Sequence, residues 1–433
     1  MRETWRARYP DPIKGGTAQI ERSFPTKREA ENWVRRQASA VLDGIHVDPR
    51  GADRLVRDVA DEWRATWVHL EPKTKAGYDN ILRKHLVGSG GDDGVAAVFH
   101  QAKLGALTAD AVQAFVNELS QRRAVNTVRR VFTVLRSVLQ LAVERRYIGV
   151  NPCSTVRLPR RRPATGSGPS RMLFLTPPEI RALAGAMPRS SDSLAVYVAA
   201  YCGLRAGELW ALRRDDVDLL RGVLRVRRAV KEISTSTDLP GVERGLILGP
   251  TKTHADRSMR LPGFLVGMLE EHLAQPSGCV GKPAVIVQDV DGVASFAESS
   301  DPFDPGALIF STSTGRPVRH GLFYRRVFRP AVVGVAGRQA APVLPERLRG
   351  LRWHDLRHTC ASLSLAVPGG TLHVVKERLG HEDIRTTINI YGHLLDSVDA
   401  ALADGLDVLY GEALDASNVV EMRGPHREQF VAV

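Results

Sequence analysis

Cysteine is scarce in this chain of 433 residues: Cys153, Cys202, Cys279 and Cys360 lie far apart and form no C-x-x-C pair. That spacing excludes a zinc ribbon or a disulfide framework and fits a reducing compartment. Long apolar runs are missing too, since the uncharged stretch Ser193–Leu204 falls well short of the ~18 residues a membrane span needs. The opening residues MRETWRARYP are charged where a secretory signal would be apolar, so a cytoplasmic protein with no membrane partner is expected. No Walker A loop is present: GCVGKP lacks the glycine spacing and the hydroxyl residue after Lys282, so no nucleotide cofactor is expected. Acidic residues are outnumbered, 48 against 60 Lys and Arg, for a net charge of +12. The deficit is steepest between residues 121 and 165, where eleven arginines face Glu144 alone. Ordinary solvated helix faces mix signs, so this bias favours contact with a phosphate backbone.

What is present is length for two or three domains and, at 43% hydrophobic residues, enough apolar material for ordinary cores. The stretch from Trp353 to Tyr391 concentrates the reactive side chains. His354 and Arg357, three apart, fall on one face of a helix that Pro368, Gly369 and Gly370 stop. Leu372, Val375 and Leu379 space a second helix, which Gly380 ends, placing His381 at a helix terminus. Tyr391 follows ten residues later. Two histidines, an arginine and a tyrosine suit attack on a phosphodiester without metal. The arginine fork can hold two phosphate oxygens as charge grows on them, and the phenol, of pKa near ~10, needs a neighbour to take its proton.

H-x-x-R, L-G-H and a tyrosine ten residues on resemble the C-terminal signature of the tyrosine recombinases, the phage integrase family. GLRAGEL supplies the upstream Arg205 and Glu208 of that pattern, and GPTKTHADRSMRLP supplies Lys252 in a hairpin connection. The resemblance implies that Tyr391 attacks the scissile phosphate to form a 3′-phosphotyrosyl link, while Arg205 and Arg357 hold the nonbridging oxygens. It further implies that His354 and His381 bond the phosphate and assist proton movement, Lys252 is the general acid and Glu208 buttresses the site. His254, His358 and His393 read as structural. No cofactor is implied, neither metal nor ATP, because a phosphotyrosine conserves the energy of the bond it replaces. The implied partners are double-stranded DNA bearing attachment sites and further copies of the chain in a tetramer, with an excisionase or DNA-bending protein as accessory, all on the nucleoid.

The implied fold is mainly α with small antiparallel sheets, an α+β class. Residues 1–50 read as two strands around a Lys14-Gly15-Gly16 turn and a helix capped by Thr26 and Glu29, which resembles the arm-binding module of lambda-type integrases. Residues 53–152 read as a helical core-binding (SAM-like) domain. Its last helix carries an apolar stripe of Val128, Val131, Phe132, Leu135, Val138, Leu139 and Ala142. Arg122, Arg123, Arg129, Arg130, Arg136, Arg145, Arg146, Arg160, Arg161 and Arg162 are the candidate phosphate contacts, and Arg316, Arg319, Arg325 and Arg326 are further ones. Residues 153–172 read as a basic linker. A mixed α/β catalytic domain over 173–412 opens at the Thr176/Glu179 capping box. Within it GVLRVRR, GLILGP and RSMRLP read as three antiparallel strands, 277–305 as an irregular acidic surface insertion, and SVDAALADGLDVL as an amphipathic helix before a disordered tail at 413–433. Rival readings are a type IB topoisomerase or telomere resolvase with the same chemistry, a non-catalytic DNA-binding regulator, and a zinc site on the His354/His358 pair. The last lacks the glutamate such sites carry beside the first histidine.

Overall fold

A computed structural model of the chain describes residues 4–12, 17–43, 46–47, 50–88, 99–160, 172–233, 245–251, 256–275, 282–288, 294–334, 343–392 and 407–408. They divide into two compact units, one of residues 1–168 with 233–245, the other of 169–232 with 246–433. Helices dominate both, and every sheet is small and antiparallel.

In the first unit β1 (Trp5–Pro10) pairs with β2 (Gln19–Phe24), Tyr9 opposite Ile20. Alternation along β1 turns Ala7 and Tyr9 inward, and α1 (Lys27–Leu42) lays Ala30 and Trp33 over them. The Thr26 hydroxyl caps α1 by accepting the Glu29 N–H. A separate core is built by α2 (Val56–Ala65), α3 (Pro72–Ile81), α4 (Ala109–Arg122) and α5 (Val125–Glu144). Every residue of the apolar stripe on α5 is buried there, so the other side of this helix, with its arginines, is left to solvent. A buried carboxylate, Asp79, ties α3 to its neighbours by accepting from Arg64 at 3.1 Å and Arg83 at 2.8 Å.

In the second unit α6 (Pro177–Gly185) starts at Thr176, with the capping box to Glu179 formed and proline in its first turn. Then come α7 (Ser190–Cys202), α8 (Ala206–Leu209), β3 (Val217–Asp218), β4 (Val223–Val226), β5 (Arg228–Ile233), β6 (Gly245–Pro250), β7 (Arg257–Arg260) and α9 (Gly263–Ala274). The strand pairing differs from expectation: β4 pairs with β7 and β3, while β5 pairs with β6. Arg227, between β4 and β5, and Arg228 both reach Asp216, at 2.9 and 2.6 Å, which breaks the expected single strand in two. Burial then sorts the pieces. Leu224, Val226 and Met259 join the main core, and Val230 and Leu248 join a smaller one.

That smaller core also corrects the reading of 277–305. Its described part forms a hairpin of β8 (Ala284–Gln288) and β9 (Ala294–Glu298), and Ala284 and Ile286 pack beside Val230, Leu248 and Leu308. The chain continues through α10 (His320–Phe323), α11 (Arg329–Val333), α12 (Asp355–Leu365), α13 (Leu372–Leu379) and α14 (Ile384–Tyr391). The Lys14-Gly15-Gly16 turn, residues 161–171, the expected helix SVDAALADGLDVL apart from 407–408, and the expected tail at 413–433 lie outside the described residues.

Leu135 is wholly buried where α5 meets the rest of its core, whereas Arg136 beside it faces outward. Leu135→Ala is therefore expected to destabilise the first unit by about 2–5 kcal/mol. Arg136→Ala should change its stability by no more than about 0.5 kcal/mol. Urea midpoints of the two variants measure the difference.

Candidate active site

Two glycine stops set the geometry. Helix α7 ends at Gly203 in the left-handed region, φ +67°, and a Cβ there would lie 2.4 Å from Leu379 and 3.1 Å from the Cys360 sulfur. Only glycine lets the end of α7 come this close to α12 and α13. Helix α13 ends in the same way at Gly380, φ +66°.

Arg205 stands at the N-cap of α8. Its backbone N–H and its Nη1 both donate to Glu208, at 2.9 Å each, and its Nη2 donates to the Gly380 carbonyl at 3.2 Å. Glu208, 1% exposed, also accepts from Arg257 on β7, at 2.7 Å to Oε2 and 3.2 Å to Oε1. Burial alone would raise this carboxyl; hydrogen bonds and charge from Arg257, then from Arg205, outweigh it and hold the pKa at about 2. Arg357, in the first turn of α12 and 2% exposed, donates to the carbonyls of Gly203 at 2.6 Å and Leu379 at 2.7 Å. No carboxylate pairs with it among the described residues. Burial, then repulsion from Arg205, lowers its pKa to about 9. Three guanidiniums thus stand beside one carboxylate, bonded to two of them, which leaves an excess of two positive charges. The constellation suits an anion with several oxygens.

Both histidines are held neutral beside that charge. His354, at the N-cap of α12, has its pKa pushed down by burial of its inner face, then by His358 and Arg357. His381 has its pKa lowered to about 4 by burial and then by Arg357 and Arg205. Its Nδ1 lies 2.9 Å from the hydroxyl of Thr387, on the helix that carries Tyr391. Tyr391 is 1% exposed and packs among Cys360, Ala361, Val375 and Leu379. Burial raises its hydroxyl to about 12, against the pull of Arg357.

The structure therefore gathers Arg205, Glu208, His354, Arg357, His381 and Tyr391 in one place, and Lys252 lies outside the described residues. Two members were not expected. Arg257 shares Glu208 with Arg205; its signal was an arginine two residues before the inward Met259 on one strand. His358, read as structural, lies with its Nδ1 2.8 Å from the Tyr391 hydroxyl, and its ring stands perpendicular to that of His354 at 5.0 Å. His254 and His393 are outside the described residues, and among those described no group of three or more His, Cys, Asp or Glu is placed to hold a metal ion.

The candidate phosphate contacts in the first unit do not converge on one point. Arg129 and Arg130 border an open groove between α3 and α5 of about 910 Å³, together with Lys73, and Arg136 lines a second groove further along α5. Arg129 is partly engaged with the Pro159 carbonyl at 3.0 Å, and Arg122 pairs with Glu118 at 3.3 Å. Arg122 and Arg123 lie before α5 starts and Arg145 and Arg146 after it ends, a separation of ~30 Å for a helix of that length. Arg160 is exposed; Arg161 and Arg162 lie outside the described residues.

The model of the phage integrase family matches residues 174–397. A "Tyrosine recombinase XerC-like" protein of Caldanaerobacter subterraneus subsp. tengcongensis is 24% identical over 392 residues, covering 89% of this chain and 90% of that one. A "Putative prophage phiRv2 integrase" of Mycobacterium tuberculosis is 26% identical over 409 residues, covering 92% and 91%. Among solved structures, the Tn1549 transposon integrase in complex with transposon right end DNA aligns with a TM-score of 0.57 at 18% identity, covering 82% of this chain and 100% of that one.

Glu208→Gln keeps the shape and removes the charge that two arginines share. The loss should destabilise the second unit at neutral pH by about 3–5 kcal/mol, the scale for breaking a buried pair. A carboxyl held low contributes its stability above its ordinary value of 4.5 and loses it as pH falls towards about 2. Urea unfolding should accordingly show the gap between variant and parent closing across that interval and constant above it.

Proposed function

This chain belongs to the phage integrase family, and on that premise we propose that it integrates and excises a mobile DNA element, with Tyr391 as the nucleophile of strand cleavage. It is a tyrosine recombinase, an enzyme that cuts and rejoins DNA through a tyrosine intermediate. The observation that carries the residue assignment is the buried excess of positive charge. Arg205 and Arg357 are oriented by backbone carbonyls and Arg357 lies in the field of Tyr391, so a phosphodiester there would supply the missing negative charge.

In the proposed reaction the Tyr391 oxygen bonds to phosphorus as the bond to the 5′-oxygen breaks. Arg205 and Arg357 hold the nonbridging oxygens, His354 and His381 donate hydrogen bonds to them, and Lys252 gives the leaving 5′-oxygen its proton. Glu208, with Arg257, fixes the Arg205 guanidinium. The 5′-hydroxyl of a second DNA then attacks the phosphotyrosine and restores the diester, with no net change in bond energy. Each copy supplies one Tyr391, and exchange between two duplexes requires four cuts, so the working assembly is a tetramer. Residues 1–50 serve as an arm-type module, 53–152 as the core-binding domain and 173–412 as the catalytic domain, with 153–172 linking the last two.

Two experiments test this reading. A nicked substrate that loses a short 5′-hydroxyl fragment on cleavage should trap the protein on a DNA 3′ end in EDTA and without nucleotide. Tyr391→Phe should bind the same DNA and give no adduct; an adduct in that variant removes Tyr391 as nucleophile. For the basic face of α5, changing Arg130 and Arg136 to Glu should lower the slope of log affinity against log salt by about 0.9 for each phosphate the variant no longer neutralises. An unchanged slope would remove these arginines from the DNA interface.

A further inference from the structure

The buried hydrogen bond between His358 and Tyr391 has no place in the roles given above. The two side chains come from different helices, α12 and α14, and both are almost closed to water, at 8% and 1% exposure. Nδ1 and the phenol oxygen lie 2.8 Å apart, inside the ~2.6–3.2 Å reach of a general base. A phenol of this kind must lose its proton to become a nucleophile, and no carboxylate bonds to it among the described residues. His358 directly follows Arg357, so the segment of α12 that places the phosphate clamp also places this ring.

We propose that His358 is the general base of cleavage, taking the Tyr391 proton on Nδ1 as the tyrosyl oxygen bonds to phosphorus. The proposal rests on Tyr391 being the nucleophile. In the cleavage step the Oη–H bond breaks and an Nδ1–H bond forms, while the Oη–P bond forms and the P–O5′ bond breaks. The 5′-oxygen takes its proton from the general acid assigned to Lys252. Religation runs the same path backwards: the incoming 5′-hydroxyl returns its proton to that acid, and His358 Nδ1–H returns its own to Oη as the phosphotyrosine is displaced.

The surroundings fit a base that is neutral until it acts. Burial lowers the pKa of the His358 ring and so favours the neutral imidazole; in its Nε2-protonated tautomer Nδ1 offers a lone pair to the phenol O–H. The charged and titratable groups that face the ring are Asp355, which favours the imidazolium, and Arg352 and Arg357, which oppose it; the His354 ring lies 5.0 Å away. Asp355 is itself paired with Arg352 at 2.8 Å. A phosphate beside Arg357 cancels part of the opposing charge, so the imidazolium becomes easier to form when DNA is in place.

The test is single-turnover cleavage of the nicked substrate by the full chain between pH 5.5 and 9. His358→Asn keeps a nitrogen where Nδ1 stood, can still bond the phenol and cannot take a proton. It should bind DNA within about twofold of the parent and form adduct on the order of 10²-fold more slowly. The acid limb of the parent's pH profile should disappear in the variant. A substrate with sulfur as the 5′-bridging atom separates base from acid, because a thiolate leaves without a proton. That substrate should restore cleavage in Lys252→Ala and leave His358→Asn slow. As a second variant, His358→Ala should regain activity on addition of free imidazole, and circular dichroism checks that both variants are folded. A wild-type rate and pH profile in His358→Asn, its rescue by the sulfur substrate, or no response of folded His358→Ala to imidazole would each overturn the proposal. Tyr391→Phe run alongside keeps the two levels apart: an adduct there defeats the nucleophile assignment, whereas its absence beside an unimpaired His358→Asn defeats only the base.

Discussion

The site depends on one buried carboxylate. Glu208 accepts four donors: Oε1 takes Nη1 of both Arg205 and Arg257, and Oε2 takes the Arg205 backbone N–H and Arg257 Nη2. Its acceptor positions are filled, so it cannot also neutralise Arg357. A buried ion pair is a poor source of net stability, because desolvation offsets most of its attraction. Its effect here is geometric. Without Glu208, Arg205 and Arg257 would repel each other where β7 meets α8, and the Arg205 fork would lose its orientation.

Arg357 is held by a different device. Its acceptors are the carbonyls of Gly203 and Leu379, both at helix C-terminal ends, where backbone acceptors stand unpaired and carry partial negative charge. Carbonyls fix the direction of a guanidinium and leave its charge intact, whereas a second carboxylate would have cancelled it. The two left-handed glycines therefore act through the backbone. They bring two helix ends close enough to grip one side chain from both sides.

This division explains what could be read in the sequence. Positions that local chemistry dictates are legible: the capping box at Thr176, the stop at Gly380, the apolar stripe of α5, and the ordered spacing of His354, Arg357, His381 and Tyr391. What depended on long-range pairing was not. Alternation puts Arg257, unlike Arg260, on the same face as the inward Met259, but its role appears only once Glu208, 49 residues earlier in the chain, lies against it. The hairpin of Ala284–Gln288 with Ala294–Glu298 was obscured because acidic residues around it outweighed a short apolar run, whose partner Leu248 lies far away in sequence. His358 is silent in the sequence for the same reason. Its meaning comes from a helix that begins 26 residues later.

Charge arithmetic then links the fold to the chemistry. Three guanidiniums less one carboxylate leave two positive charges, and the neutral His354 and His381 add none. A bound phosphodiester carries a single negative charge. In the proposed reaction, as the tyrosyl oxygen adds to phosphorus, the five-coordinate arrangement gathers a second on the oxygens assigned to Arg205 and Arg357. On the proposed roles the positive site therefore attracts the transition state more strongly than the bound diester, the sense in which binding accelerates a reaction instead of merely tightening the complex. Filling the Arg357 acceptors with a carboxylate would have reversed that preference. Backbone carbonyls at two glycine stops are what allow a buried arginine to stay unpaired until the phosphate arrives.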